Sequence, residues 1–347
     1  MPTQHALLSA SSAHRWLHCT GSPLLEKEFP DTTSVYAQEG TLAHELCELK
    51  LKKYTTVMPK GTYTRAHNKI MKSELWQNEM EGTSEAYLEY VKEIMLACEI
   101  APAVLIEKRV DFSRYVPEGF GTADCLMLAG DTLHVIDYKH GKGVVVDAAH
   151  NPQMMLYALG AMDELSLLYR FKSVHMTIVQ PRVNNISEFT MTADELREWG
   201  ESVVKPKAEA AVSGNGEFEA GDWCRFCRAK RQCRTRYEAN DTLYTELSAR
   251  HDPRLITLEE LGEYLKRGRD MAAWLEDMKE YALSESLAGA DVPGWKAVEG
   301  RGSRAFTDTD EAVDILIKNG IDESVLYERR VLTLAQMEKA VGKKAFG

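Results

Sequence analysis

The chain reads as an α/β protein with a mainly helical tail, and three observations predict it. Apolar residues recur at helical spacing over residues 37–54 and 84–98. Three short apolar or alternating runs follow at 104–112, 121–128 and 132–138, set apart by Gly, Pro and Asp. Helical periodicity then returns at 152–168, ahead of one more apolar run at 173–180. Helices, then consecutive strands, then helix and strand give an α/β core.

Each element has a local reason. Ser11 and Ser12 are candidate caps for a short N-terminal helix that carries Cys19 out at its end. In segment 37–54, Leu42, Leu46 and Leu49 line one face, with Glu39, His44, Glu45 and Glu48 beside them, as an amphipathic helix requires. Residues 173–180 stop at Pro181-Arg182, where a strand loses its donor. Residues 211–221, rich in Gly, Ser and Glu, read as a loop. Beyond it, 257–287 reads as one or two amphipathic helices with Thr257 as a possible cap, and 307–319 as another. Residues 294–304 have short strand character, with Arg301 and Arg304 at or near glycines, and read as a surface hairpin or a DNA-contacting turn. The division expected is a core at 1–240 and a mainly helical domain at 241–347.

Length and composition bound the function. At 347 residues the chain exceeds one ordinary core, and 44% hydrophobic residues is usual for a globular protein. No apolar run approaches the roughly 20 residues needed to span a bilayer, and no signal-peptide pattern opens the chain, so a soluble, cytoplasmic protein without membrane partners is expected. A net charge of -11 excludes indiscriminate coating of nucleic acid, leaving only a local basic track. Seven cysteines, an odd number, fit a reducing compartment better than a disulfide framework.

The most informative feature is the strand pair holding Asp124 and the run Asp137-Tyr138-Lys139. Side chains two apart on a strand share a face, so Asp137 and Lys139 point the same way, and a hairpin neighbour brings Asp124 beside them. Carboxylates this close repel unless a cation lies between them, and hard oxygen ligands select Mg2+ or Mn2+. Such a cation polarises a phosphodiester and acidifies water, while Lys139 orients or deprotonates the attacking water and offsets charge developing on phosphorus. An isolated Asp-x-Lys also reads as a strand-end ion pair. Glu107, on the strand before Asp124, reads as a supporting acid or a solvated strand end; His140 and Lys142 read as phosphate contacts or parts of a Gly-rich turn.

Four motifs in order carry a family resemblance: Gly40-x-x-x-His44, Gly121-x-x-Asp124, Asp137-x-Lys139 and Gln153-x-x-x-Tyr157. The set resembles the PD-(D/E)XK nuclease superfamily and, within it, the RecB-like exonucleases that include the iron-sulfur exonuclease of CRISPR adaptation. The resemblance implies a restriction-endonuclease-like core, a central mixed sheet flanked by helices, with Asp124, Asp137, Lys139, Gln153 and Tyr157 as catalytic residues. It also implies a metal shell of His44, Asp124, Asp137 and the backbone carbonyl of Tyr138. Glu48, near His44 on the same helix, suits an imidazole oriented by a carboxylate. Gln153 and Tyr157, four apart on one helix face, would hold Lys139 and the phosphate of the scissile strand.

Cys224-x2-Cys227-x5-Cys233 places three thiols within ten residues and calls for a fourth ligand, in an iron-sulfur or a zinc site. The resemblance supplies it, because those exonucleases bind a [4Fe-4S] cluster with one cysteine before the core and three after it, which matches Cys19 with Cys224, Cys227 and Cys233. Cys47, Cys98 and Cys125 lie in apolar patterns and read as buried small hydrophobes. Arg225, Arg228, Lys230, Arg231, Arg234 and Arg236 form the densest positive stretch, suited to offset thiolate charge or to hold a DNA backbone. Trp223 and Phe226 read as stacking surfaces for bases or as core.

The full length is also similar to a phage-encoded RecB-like nuclease family in which this tail recurs. The function expected is therefore a metal-dependent DNA exonuclease in phage recombination, repair or replication, acting in the host cytoplasm. DNA, single-stranded or with free ends, is the expected partner, along with a phage single-strand annealing or DNA-binding protein and a possible oligomer. The alternative is a catalytically weak module on the same fold that binds DNA ends or a recombination partner.

Overall fold

In the computed structural model, residues 6–30, 34–248, 256–299 and 309–327 are described. The chain divides into two units, residues 1–284 and 285–347. The first unit is built on a five-stranded sheet of β1 (Ala103–Asp111), β2 (Phe120–Ala129), β3 (Thr132–Tyr138), β4 (Ser173–Gln180) and β5 (Asn185–Thr192), in that spatial order. Neighbours pair antiparallel except β3 with β4, which are parallel, so the sheet is mixed.

The parallel step needs a crossover, and α6 (Pro152–Glu164) supplies it. Its start is fixed by Asn151, whose side chain accepts from the N–H groups of Gln153 and Met154, and by Pro152 in the first turn. Alternate strand residues divide between two apolar layers. Leu126, Leu128, Leu133, Val135, Val174, Met176 and Ile178 pack on one side with α6. Cys125, Met127, Ile136, Tyr138 and Val179 pack on the other with α3 (Val35–Thr55), α4 (Lys60–Met71) and α5 (Glu79–Ala97). Burial on both faces explains why these strands are nearly continuous in apolar residues.

Before the sheet, α1 (Ala13–His18) ends on Cys19 and a short turn, α2 (Ser22–Leu25), follows. After it, α7 (Ala193–Trp199), a π-helical turn at Gly200–Val204 and α8 (Lys205–Ser213) run without a break. Then come the cysteine segment, α9 (Arg234–Ser248) and α10 (Leu258–Leu287). Thr257 caps α10 as expected: its Oγ1 accepts from Glu260 N–H, and Glu260 Oε2 accepts from Thr257 N–H at 2.7 Å. Among the described residues of the second unit are α11 (Thr309–Lys318) and α12 (Glu323–Leu326).

Several boundaries differ from the sequence reading. The helix expected at 84–98 begins at Glu79, and the one expected at 152–168 ends at Glu164, where Leu165–Leu168 close a turn. The loop expected at 211–221 begins after Ser213. Helix α4 and strand β5 had no sequence expectation. No strand forms at 294–299, and residues 300–304 of the expected hairpin and 307–308 of the expected helix lie outside the described residues. Among the described residues, no helix is long and apolar enough to cross a membrane.

Candidate active site

The site opens where β2 and β3 part. Their ladder stops at the pair Cys125 and Ile136, so the next residues, Asp124 and Asp137, are not paired with each other. Asp124 Oδ2 takes the vacated place and accepts from Tyr138 N–H at 2.8 Å. The N–H and C=O of a strand residue leave on the same edge, so the Tyr138 carbonyl also faces the Asp124 side. On its other edge β3 stays paired, with Lys139 N–H donating to Val179 O at 2.9 Å.

Asp137 is buried at the end of β3, and Lys139 Nζ stands 2.7 Å from its Oδ2. Gln153 on α6 joins the two: Lys139 Nζ donates to Gln153 Oε1 (3.0 Å), and Gln153 Nε2 reaches Asp137 Oδ1 (3.3 Å) and Tyr157 OH (3.1 Å). A methyl group on Gly121 would lie 2.7 Å from the Tyr157 ring. The glycine of the Asp124 motif is thus what lets the tyrosine of the α6 motif approach the sheet.

From the opposite side, α3 presents His44, whose Nδ1 lies 3.2 Å from Asp124 Oδ2. Glu48 does not orient that ring as expected. It pairs with Lys52 one turn further on, and Asp124 is the carboxylate that holds His44. Glu107 completes the group. It sits opposite Asp124 in the β1–β2 register, between the pairs Ile106 with Cys125 and Lys108 with Ala123. Its backbone is left-handed, φ 48°, and the ladder skips that pair. A non-glycine residue in this region within a strand is strained, a condition that persists where a site requires it. Ligand atoms of His44, Glu107 and Asp124 all lie within 4.8 Å of one another.

The electrostatics follow from burial and proximity. Burial alone would raise the Asp124 carboxyl, but His44, Lys139 and the Tyr138 N–H outweigh it and hold it below the usual carboxylate range. Burial pushes Asp137 up and Asp124 beside it adds to this, against the pull of Lys139. Burial works against charge on His44 and Lys139, yet the two aspartates keep both above their ordinary values. Glu107 is pushed up to about 7 by burial, then by Asp124 and Glu48. Three carboxyl groups thus gather beside His44 and Lys139, and Glu107, raised toward neutrality, is the one whose ionisation a bound cation would favour most. A histidine with hard carboxylates fits Mg2+ or Mn2+. Of the shell expected from sequence, His44 and Asp124 come together with Glu107 in one metal-capable group, while Asp137 is turned toward Lys139.

The loop after Lys139 is held by Gln180, which had no sequence signal. Its buried amide donates to Gly141 O (2.6 Å) and Val144 O (2.8 Å) and accepts from Val146 N–H (3.1 Å). His140 is buried beside Tyr138 OH, at 3.0 Å, which favours the turn over the phosphate contact among its two sequence readings. Lys142 is exposed.

A second cluster joins the chain ends of the core. Cys19, Cys224, Cys227 and Cys233 line one small cavity together with Arg15, Lys230 and Arg236. The approach depends on Gly216, where any Cβ would meet the Thr20 backbone at 2.4 Å, and on Gly21 N–H donating to Glu217 O at 2.8 Å. Gly221 N–H points at Cys224 Sγ, 3.4 Å away. Burial raises the Cys224 thiol and pushes that of Cys227 up to about 12. Four free thiols on one cavity among cationic side chains fit a thiolate-bound metal group, [4Fe-4S] or zinc, which would take up the thiolates as their protons leave. Cys47 and Cys125 are buried as expected, while Cys98 is half-buried.

Half of the basic stretch beside these cysteines is committed to ion pairs. Lys230 and Arg236 pair with Asp277 at 2.8 Å each, Arg236 also binds Asp270 at 2.9 Å, and Arg231 pairs with Glu280, all on α10. Arg236 is fully buried. These three cations clamp α10 to the cysteine segment. Trp223 stacks on His18 with centroids 4.3 Å apart, whereas Phe226 is 67% exposed beside Arg225.

The architecture is thus that of a mixed α/β protein with a His, Glu and Asp group at the mouth of a strand pair and a four-cysteine cavity. The chain belongs to the DUF2800 family, described as a protein of unknown function, whose model matches residues 5–347. A solved structure titled "Crystal structure of SSO0001" is similar over 57% of this chain and 98% of its own, at 12% identity and a TM-score of 0.29, too low to bear on fold or function.

Proposed function

We propose that this chain is a metal-dependent DNA nuclease with a PD-(D/E)XK core, acting on DNA ends. One observation carries the reading: six side chains from the four motifs and β1, namely His44, Glu107, Asp124, Asp137, Lys139 and Gln153, converge at one strand opening. A surface ion pair would need neither the strained Glu107 nor the buried Asp137.

His44, Asp124 and the Tyr138 carbonyl would hold Mg2+ or Mn2+, with Glu107 and Asp137 as flanking acids. The cation supplies Lewis acidity toward a phosphodiester oxygen and toward water. Lys139, kept an ammonium by two aspartates, orients the phosphate and offsets charge that builds on it, rather than taking a proton. Gln153 fixes Lys139 and Asp137 in register, and Tyr157 fixes Gln153. Cys19, Cys224, Cys227 and Cys233 would hold a [4Fe-4S] cluster in a structural role, with zinc as the alternative. Purified protein should cut linear DNA with Mn2+, and Asp137→Ala should abolish cutting while the protein stays folded. Equal cutting by both proteins would refute the assignment.

A further inference from the structure

Strand β1 is an edge strand, and between it and the C-terminal end of α3 runs a groove of about 780 Å³. Glu107, part of the candidate metal group, is also in the groove wall, so the groove opens from the site itself. On α3, His44, Glu48 and Lys52 are spaced by four residues along one face, which carries the path about 12 Å from the site.

The lining has two characters. Its floor is apolar, from Val104, Ile106 and Met95. Its rim is cationic and aromatic, with Lys52, Arg109 and Tyr54, the last 44% exposed and with Lys92 Nζ 5.0 Å from the centre of its ring. Lys52 is tied to Glu48. Arg109 lies 3.8 Å over the Phe120 ring and holds no ion pair among the described residues. Arg109 is exposed, so the charge that the Phe120 ring leaves uncompensated is open to an anion at the end of the groove.

An apolar floor beside an exposed ring suits the faces of unpaired bases, and an unpaired guanidinium suits phosphate. A duplex keeps its base faces stacked inside and could use only the cation. We propose that this groove is the track of a single-stranded segment of the DNA substrate, laid from Glu107 toward Tyr54; this rests on the nuclease reading above. Tyr54 stacks on a base and Arg109 holds a phosphate.

The test uses Asp137→Ala protein without divalent metal, so that DNA is bound and not cut, and follows a labelled oligodeoxythymidine by fluorescence anisotropy across a salt series. Tyr54→Ala should weaken binding about tenfold with no change in the salt slope. Arg109→Ala should lower the slope of log affinity against log salt by about 0.7, the value for one phosphate on a single strand. A duplex of equal length should respond to Arg109→Ala at most, and not to Tyr54→Ala. Both variants binding the oligonucleotide with the parent's affinity and slope would overturn the groove assignment. If the wild-type protein still cuts DNA with Mn2+ in that case, the nuclease reading survives alone. If it does not cut while the groove signature holds, the nuclease reading fails and the groove stands as a binding site.

Discussion

Glu107 and Asp124 face each other across β1 and β2, and the backbone strain at Glu107 is the local cost of bringing its carboxylate to His44. Two consequences separate strain from function. Glu107→Gly can adopt φ 48° freely, so the metal-free protein should gain about 1 kcal/mol in a denaturant titration. Glu107→Gln keeps the strain and loses the charge, and should weaken Mn2+ binding by calorimetry at least about tenfold. Unchanged Mn2+ affinity in both would remove Glu107 from the site. For Lys139→Ala the expected loss is about a hundredfold or more in cleavage rate, the scale of removing one charge-stabilising donor. Little of Glu107's standing could be read from Glu107-Lys108-Arg109 alone, because it comes from a backbone angle and a partner on the next strand. The Asp137 and Lys139 pairing was legible because two-residue periodicity dictates it.

Among the elements, the β3–β4 pair carries a pH dependence of its own. His134 faces His175 across the parallel ladder, ring centroids 5.2 Å apart, and its Nδ1 is buried without a partner. Burial, with His175 adding to it, pushes His134 down to about 4. The unfolded chain then binds the proton that the folded one refuses. Stability is full above the unfolded value of about 6.5 and falls as pH drops toward 4, by about 1–2 kcal/mol once solvent screening is allowed for. His134→Phe should flatten that decline in denaturant titrations between those pH values; an unchanged slope would assign it elsewhere. The strands and α6 were legible because apolar runs, Asn151-Pro152 and Pro181 mark them in sequence. Strand β5 was not: in Asn185–Thr192 its inward residues Phe189 and Met191 alternate with polar ones too briefly to stand out. The ion pairs of Lys230, Arg231 and Arg236 were not legible for a different reason. Their partners Asp270, Asp277 and Glu280 lie on α10, far along the chain, and pattern within one segment cannot show them.

For the whole molecule, a metal group held in the cysteine cavity would tie α1 to the segment after α8 and close a loop of about two hundred residues around the sheet. Metal stripping with a chelator should lower the midpoint of thermal unfolding by about 10 °C, the effect of losing one long-loop cross-link. Protein prepared anaerobically should be brown and contain iron, and a colourless protein with stoichiometric zinc would replace the iron-sulfur assignment by zinc. The clamp makes a parallel claim. Arg236→Ala leaves Asp277 with Lys230 alone in a buried setting and should cost about 3 kcal/mol in urea unfolding, whereas exposed Arg225→Ala should cost little.

The central claim is that His44, Asp124, Asp137 and Lys139 form a hydrolytic metal site for DNA, and end-labelled single- and double-stranded DNA incubated with Mn2+ and Mg2+ tests it most directly. Time-dependent cleavage by the wild-type protein, abolished by a chelator and by either Asp137→Ala or Lys139→Ala in proteins with wild-type melting curves, is the predicted result. Intact DNA with both ions, or cleavage that both variants retain, would contradict it.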